Sequence, residues 1–417
     1  MTQYTKINSY KQLESYLYSF ILHTSLRLDR IKNLLAKLGN PQNKFPSIVV
    51  AGTAGKGSTS TMLASILSQN GLKVGLYTSP HLVRLNERFK INNQDISNKE
   101  LIELVNKISS VIARIRQLAE TWQSRTGSRS DRDDNTPSYF EILTALAFFW
   151  FSKKNIDVAV LEVGMGGKWD ATNIVDNKIS VLTNVGLDHT EFLGETIEKI
   201  AREKVAVLKK NGVLITAVTQ PSVKKIIKNY AAKKQAKVIY ITPKNYQTKM
   251  PGDFQKINAS LAVAAARQFK PGITVKKGLQ KAYIPGRLEV QKNIILDGAH
   301  NVMKMQALVN SLKKLYPGKK FTTVIAFKKD KDFKKMLNIL LPLVSKLFIT
   351  KFTVNTDWGL HQAMEPKQIA KYTSKDYVLF ENPKKALKTA LKEKKYPVLI
   401  TGSLYLVGEI KKILQTK

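Results

Sequence analysis

Val49-Val50-Ala51-Gly52-Thr53-Ala54-Gly55-Lys56-Gly57-Ser58-Thr59 decides how this 417-residue chain is read. Two β-branched residues end an apolar run, glycines 52, 55 and 57 flank one lysine, and two hydroxyl residues open a helical segment. The expected local structure is a strand, a tight turn and a helix N-terminus. Glycines let successive backbone N–H groups turn inward, and a helix N-terminus adds partial positive charge, so such a turn suits phosphate. In that reading Gly52, Thr53, Gly55, Gly57, Ser58 and Thr59 wrap the phosphates. Lys56 reaches the outer ones, and Ser58 or Thr59 faces a magnesium ion. The general phosphate-loop pattern is not met in full. Val50 stands where its first glycine belongs, and Gly57 stands where Ser or Thr should follow the lysine. An ordinary glycine-rich turn is the competing reading, which the rest of the chain must decide.

Outward from this stretch, short β-rich runs alternate with longer helical patterns. Ser47–Gly52 precedes a helix from Ser58, and Leu72–Thr78, Asp157–Val163, Ile179–Val185, Gly212–Ala217 and Lys237–Ile241 continue the strand series. Such alternation predicts βαβ units and an α/β fold with a mostly parallel sheet. Residues 1 to about 45 read as a helical opening segment, and Gln123–Thr136 as a polar surface loop. The pattern restarts near Pro285-Gly286-Arg287. Strands are expected at Ile294–Asp297, Phe321–Phe327, Leu347–Thr350 and Val398–Thr401, with helices at Ala299–Leu315, from Asp332, and at Leu404–Leu414. This predicts a central nucleotide-binding domain over 1–286 and a smaller C-terminal α/β domain over 287–417. Pro285-Gly286 would be the hinge, and the cleft between the domains a substrate site.

Composition narrows the class. Hydrophobic residues make up 43% and aromatic residues 8%, as in a globular protein. With no cysteine there is no disulfide framework, thiolate metal site or cysteine nucleophile. Met1–Leu26 shows no signal-peptide core, and the apolar run Ile142–Phe151 is about half the roughly 20 residues of a membrane-spanning helix. The expected compartment is therefore cytoplasmic, with no membrane partner. The 68 basic and 31 acidic residues give a net charge of +37, which suits polyanionic partners. Because the lysines are spread along the chain rather than clustered, we read the excess mainly as solvated surface. No recognition-helix or aromatic-stacking motif accompanies it.

Four further segments carry chemistry. Tyr77-Thr78-Ser79-Pro80-His81-Leu82 ends a strand at the carboxyl edge, where ligands bind in α/β sheets. Val158–Val163 buries Glu162 ahead of Gly164-Met165-Gly166-Gly167. A carboxylate closing an apolar strand needs a partner, and magnesium is the natural one beside phosphate. Leu187-Asp188-His189 follows the next strand in the chain, and Lys204 lies on the helix beyond it. A lone histidine or helix lysine is ordinarily structural; this histidine is expected at a strand end parallel to Glu162, and the lysine within reach of the same cleft.

Taken in order, Gly52–Thr59, Tyr77–Leu82, Arg84–Arg88, Glu162–Gly167, Asp170–Asn173, Leu187–His189, Glu203-Lys204, Pro285–Glu289, Leu296–Asn301 and Gly402–Tyr405 resemble the folylpolyglutamate synthase/dihydrofolate synthase family of the Mur ligase superfamily. The resemblance runs from about residue 10 to the end. It implies an ATP-dependent ligase joining L-glutamate to the carboxylate of a folate or dihydropteroate through an acyl phosphate. It implies ATP and two Mg2+ sites as cofactors. Lys56 and the loop amides would hold the phosphates. Ser79 and Glu162 would bind one metal, and Glu162 with His189 would help hold a second. Lys204 would be carbamylated and so become a ligand. Asp297 and His300 would face the nucleotide, Arg287 its phosphates, and Gln255 and Asn258 the adenine side.

The chain departs from the family pattern at Ala54, Lys168-Trp169, Val205-Ala206, Phe254 and Val302. None of these removes a proposed phosphate or metal group, but each bears on pocket shape and substrate choice. The competing readings are a Mur ligase relative with another carboxylate acceptor, and a basic P-loop protein that binds nucleic acid. We expect a monomer with small-molecule partners and no specific nucleic acid.

Overall fold

The computed structural model describes residues 6–21, 27–126, 136–356 and 359–415. Its first sheet contains β1 (Ser47–Ala51), β2 (Val74–Tyr77), β3 (Phe89–Ile91), β4 (Gln94–Asp95), β5 (Val158–Glu162), β6 (Ile179–Leu182), β7 (Val213–Thr216) and β8 (Lys237–Tyr240). Their order across the sheet is β4-β3-β2-β5-β1-β6-β7-β8. β1 is central and pairs in parallel with β5 and β6. Only the β3–β4 edge is antiparallel. That hairpin was missed in the sequence because its strands are too short to show a period.

β1 is buried on both faces, as a covered parallel sheet requires. Val49 and Ala51 join one apolar core, while Ile48 and Val50 join the other. This accounts for the departure at Val50. Its side chain packs with Met62, Leu63 and Ala262 under the helices Lys56–Ser68 and Phe254–Phe269, so the phosphate loop begins only at Gly52.

The second sheet contains β9 (Glu289–Gln291), β10 (Ile294–Leu296), β11 (Phe321–Ile325), β12 (Val344–Ile349), β15 (Tyr377–Leu379) and β16 (Val398–Thr401), and β13 (Thr353–Thr356) pairs with β14 (Gly359–Gln362) as a separate hairpin. The order is β15-β12-β11-β16-β10-β9, parallel except at β9. Two compact cores flank it.

Several expected boundaries shift. The phosphate-loop helix starts at Lys56 rather than Ser58, because Gly55 already provides the left-handed turn into it (φ 81°). The helix expected from Ala299 starts at Val302, because Asn301 caps it by accepting from Lys304 N. The opening segment is two helices, Tyr10–Tyr18 and Asp29–Lys37, followed by a 3-10 turn. The helix from Asn98 continues to Thr126, so the loop expected from Gln123 does not begin there, and residues 127–135 lie outside the described residues. Among the described residues no helix is long and apolar enough to cross a membrane.

Candidate active site

A cavity of about 220 Å³ lies where the carboxyl edge of the first sheet meets the Pro285–Leu308 stretch. It is lined by Gly52, Thr53, Gly55, Lys56, Gly57, Ser58, Ser79, Glu162, His189, Lys204, Asn258, Arg287, Asp297 and His300. All were expected at the site. Two others were expected there but stand behind the lining. Thr59 is fully buried, with its hydroxyl 3.4 Å from Asn258 Oδ1. Gln255 donates to Ser58 Oγ at 3.4 Å and accepts from Asn258 Nδ2 at 2.8 Å. Thr59 therefore does not face a metal, and of the two hydroxyls only Ser58 reaches the cavity. His81 also points elsewhere: its Nδ1 accepts from Arg88 Nε at 3.0 Å.

The loop is shaped by close approach. A Cβ on Gly55 would lie 2.3 Å from Asn258 Oδ1, so a larger residue there would push the Asn258 side chain aside. Across the loop, Ala54 N donates to Asn184 Oδ1 at 2.9 Å, and Thr53 Oγ1 exchanges hydrogen bonds with the backbone of Gly186. Asn184 was missed in the sequence; its signal is its place just beyond β6, the strand beside the loop.

Glu162 ends β5 and is 5% exposed. Burial pushes its pKa up, offset by the Lys56 charge and by Ser79 N, which donates to Oε2 at 3.2 Å. His189 was expected one strand over. In the sheet β1 lies between β5 and β6, and His189 sits seven residues past β6 in a left-handed conformation (φ 52°). A non-glycine residue held there is strained backbone of the kind that collects at functional sites. Burial, only partly opposed by Asp188, lowers the His189 pKa to about 4, so the ring is neutral at pH 7.

Lys204 is 4% exposed, and its Nζ lies 3.2 Å from Gly52 O. Lys56 Nζ lies 3.1 Å from the same carbonyl. Burial first, and then the Lys56 charge, bring the Lys204 pKa to about 7.

From the other side, Asp297 accepts from Leu288 N at 2.8 Å and from Ala299 N at 2.9 Å. Its carboxylate thus folds the loops that carry Arg287 and His300, and burial raises its pKa despite Arg287. Leu288 is held at φ 47°, a strained point within that turn. Asp188, also missed as a cavity residue, ties the two sheets together. It accepts from Asn301 Nδ2 at 2.9 Å and Lys331 Nζ at 3.1 Å. Burial alone would raise the Asp188 pKa, but Lys304, His189 and Lys331 hold it below the usual carboxylate range.

Among the described residues no three His, Asp or Glu side chains converge as a metal cage. Magnesium does not need one, since it keeps waters and phosphate oxygens and takes one or two carboxylates. Glu162, buried, with Ser79 N on its Oε2, fits that role. Lys204 as an ammonium does not.

Burial disfavours the ionised form of Glu162. Its folded-state pKa lies above the ordinary 4.5, so ionising it costs stability once the pH passes that value. Glu162→Gln is therefore expected to raise the melting temperature of the ligand-free protein at pH 7 to 8. The same change should lower turnover by about 10²-fold or more, the scale of one lost electrostatic contact. Calorimetry and a turnover assay on one preparation read both; a lower melting temperature with turnover kept would overturn the assignment.

A two-part α/β architecture with a phosphate loop at the junction defines the Mur ligase type of protein. Residues 50–249 match the Mur ligase middle domain, and residues 282–414 match the dihydrofolate synthetase C-terminal domain. A Bacillus subtilis dihydrofolate synthase/folylpolyglutamate synthase is 32% identical over 428 residues, covering 93% of this chain and 95% of that one. The solved Mycobacterium tuberculosis folylpolyglutamate synthase complexed with ADP superposes with a TM-score of 0.86 at 26% identity, covering 97% of each chain. E. coli FolC in complex with DHPP and ADP gives 0.82 at 28% identity, covering 97% of this chain and 98% of that one. The chain belongs to the dihydrofolate synthase/folylpolyglutamate synthase family.

Proposed function

We propose that this protein uses ATP to join L-glutamate to the carboxylate of a folate or dihydropteroate. The observation that carries the reading is the convergence, in one cavity, of the glycine loop with Lys56, the buried Glu162, and Arg287 and His300 from the second sheet. The amides of Gly55 and Gly57 and the Lys56 ammonium hold the ATP phosphates, with Arg287 closing on them from the other side. The substrate carboxylate attacks the γ-phosphorus and ADP leaves. The glutamate amine, having lost a proton, attacks the acyl carbon, and phosphate leaves. Phosphoryl transfer of this kind depends mainly on positioning and charge neutralisation. Glu162, Ser79 and His189 would hold Mg2+ at two positions, and the metal would supply charge neutralisation for the ATP phosphates. Asn258 and Gln255 fix the adenine-side wall. Residues 1–286 and 287–417 serve as the two domains of a cytoplasmic monomer, with small molecules rather than nucleic acid as partners.

The test offers purified protein ATP, Mg2+ and L-glutamate with dihydropteroate or a reduced folate in turn, reading phosphate release and product mass. Glutamate-dependent phosphate release with a mass gain of one glutamyl unit is expected on at least one acceptor. No turnover with either, but turnover with another carboxylate, would assign the chain to a different amino-acid ligase.

A further inference from the structure

Lys304 occupies the first turn of the Val302–Leu315 helix, where its backbone N–H donates to Asn301 Oδ1 at 2.9 Å. A helix N-terminus carries partial positive charge, so a cation there is at the unfavourable end. The side chain is partly buried and lines the cavity beside Lys56 and Arg287. Its side-chain partner is His300 Nε2 at 2.8 Å. His300 Nδ1 lies 2.7 Å from Gly298 O, and a carbonyl can only accept. The proton is therefore on Nδ1, and Nε2 accepts from the Lys304 ammonium. His300 is neutral, since burial and the charges of Lys304 and Arg287 hold its pKa well below the ordinary value. A neutral ring does not compensate a cation.

No carboxylate among the described residues forms an ion pair with Lys304. Asp188 is the acid that most favours its charge, but Lys331 and Asn301 already hold both Asp188 oxygens. Burial, and next Arg287, pull the Lys304 pKa to about 7. A wrong-end cation with like-charged neighbours, aimed into a cavity, is poorly explained as a structural contact. Such an arrangement becomes favourable when an anion enters.

We propose that Lys304 and Arg287 form an oxyanion subsite on the second-sheet side of the cavity, occupied by the phosphoryl group in transfer from the nucleotide. The inference rests on the ligase reading above. Two carriers share the oxyanion chemistry, the phosphoryl group and the glutamate carboxylate, and the kinetics separate them.

The experiment compares wild type, Lys304→Met and Lys304→Arg. Steady-state kinetics vary ATP, glutamate and acceptor separately, and calorimetric titration measures ADP and the non-hydrolysable analogue AMPPCP. For Lys304→Met we expect kcat to fall about 10²-fold, the scale of one lost contact to developing charge. ADP affinity and melting temperature should hold, while the preference for AMPPCP over ADP falls. Lys304→Arg should recover part of the loss. A rise of about tenfold in the KM for glutamate alone would place the carboxylate there and overturn the phosphoryl assignment. Unchanged kinetics and an unchanged AMPPCP preference in Lys304→Met would overturn the subsite. So would a parallel loss of ADP affinity and melting temperature, which marks a structural role. If wild type makes no amide, the ligase reading fails separately, and the AMPPCP-to-ADP comparison still tests the subsite.

Discussion

Lys56→Ala lowers ATP-dependent amide formation by about 10³-fold, at the upper end of what one preorganised charge contributes in a site of this kind. The expectation follows from position. Lys56 opens the Lys56–Ser68 helix directly after the left-handed Gly55, and its ammonium sits over the loop at 3.1 Å from Gly52 O. Nothing apolar is held by it, because the core beneath is built by Val50, Met62 and Leu63. Melting temperature should therefore stay close to wild type, as for substitutions that remove no packing. Phosphate release with saturating acceptor and glutamate measures the first effect, and a thermal melt the second. Retained turnover would mean that the glycine loop is only a turn.

The sequence made the phosphate loop, the strand series and the restart after Pro285 legible, because each depends on local pattern. Glycines beside a lysine mark a loop, and apolar runs of four to six residues between helices mark covered strands. Glu162 was legible for the same reason, as a charge at the end of β5. What was not legible depends on distant pairing. Nothing near Asp188 says that Asn301 and Lys331 will meet it from the other sheet. Asn184 gains its role only when β6 pairs beside β1 and puts its amide opposite Ala54 N. The apparent fault at Val50 was a misplaced start: the strand runs two residues further, through Ala51, than the general motif allows. Lys304 had a faint local signal, four residues after His300 at the start of a helix, but among so many lysines that spacing carries little weight. Its meaning comes from the cavity.

Lys204→Ala is expected to lose turnover by about 10³-fold or more and to recover part of it when a short-chain carboxylic acid such as acetate is added. Lys204 lies beside the phosphate loop, buried, with its amine toward Gly52 O. As an ammonium it opposes both Lys56 and any cation bound at Glu162, since like charges at close range in a site of low dielectric repel strongly. Its pKa of about 7 means that much of the amine is neutral at neutral pH, and a neutral amine adds to carbon dioxide. The new N–C bond forms as one proton leaves the neutral amine, which becomes a negative carbamate; counted from the ammonium, two protons leave in all. The resulting carbamate would pair with Lys56 and supply an oxygen ligand beside Glu162. Without carbamylation, the unfolded chain binds more protons than the folded one between about pH 7 and the ordinary lysine value of 10.5. Lys204 would then make stability rise with pH through that window. A carbamate removes this dependence. We therefore expect wild-type turnover to fall in carbon-dioxide-free buffer and recover with bicarbonate, with a carbamate resonance from 13C-labelled bicarbonate that is absent in Lys204→Ala. Turnover indifferent to bicarbonate, no such resonance, and no rescue by acetate would leave Lys204 as a plain ammonium and remove it from the metal site.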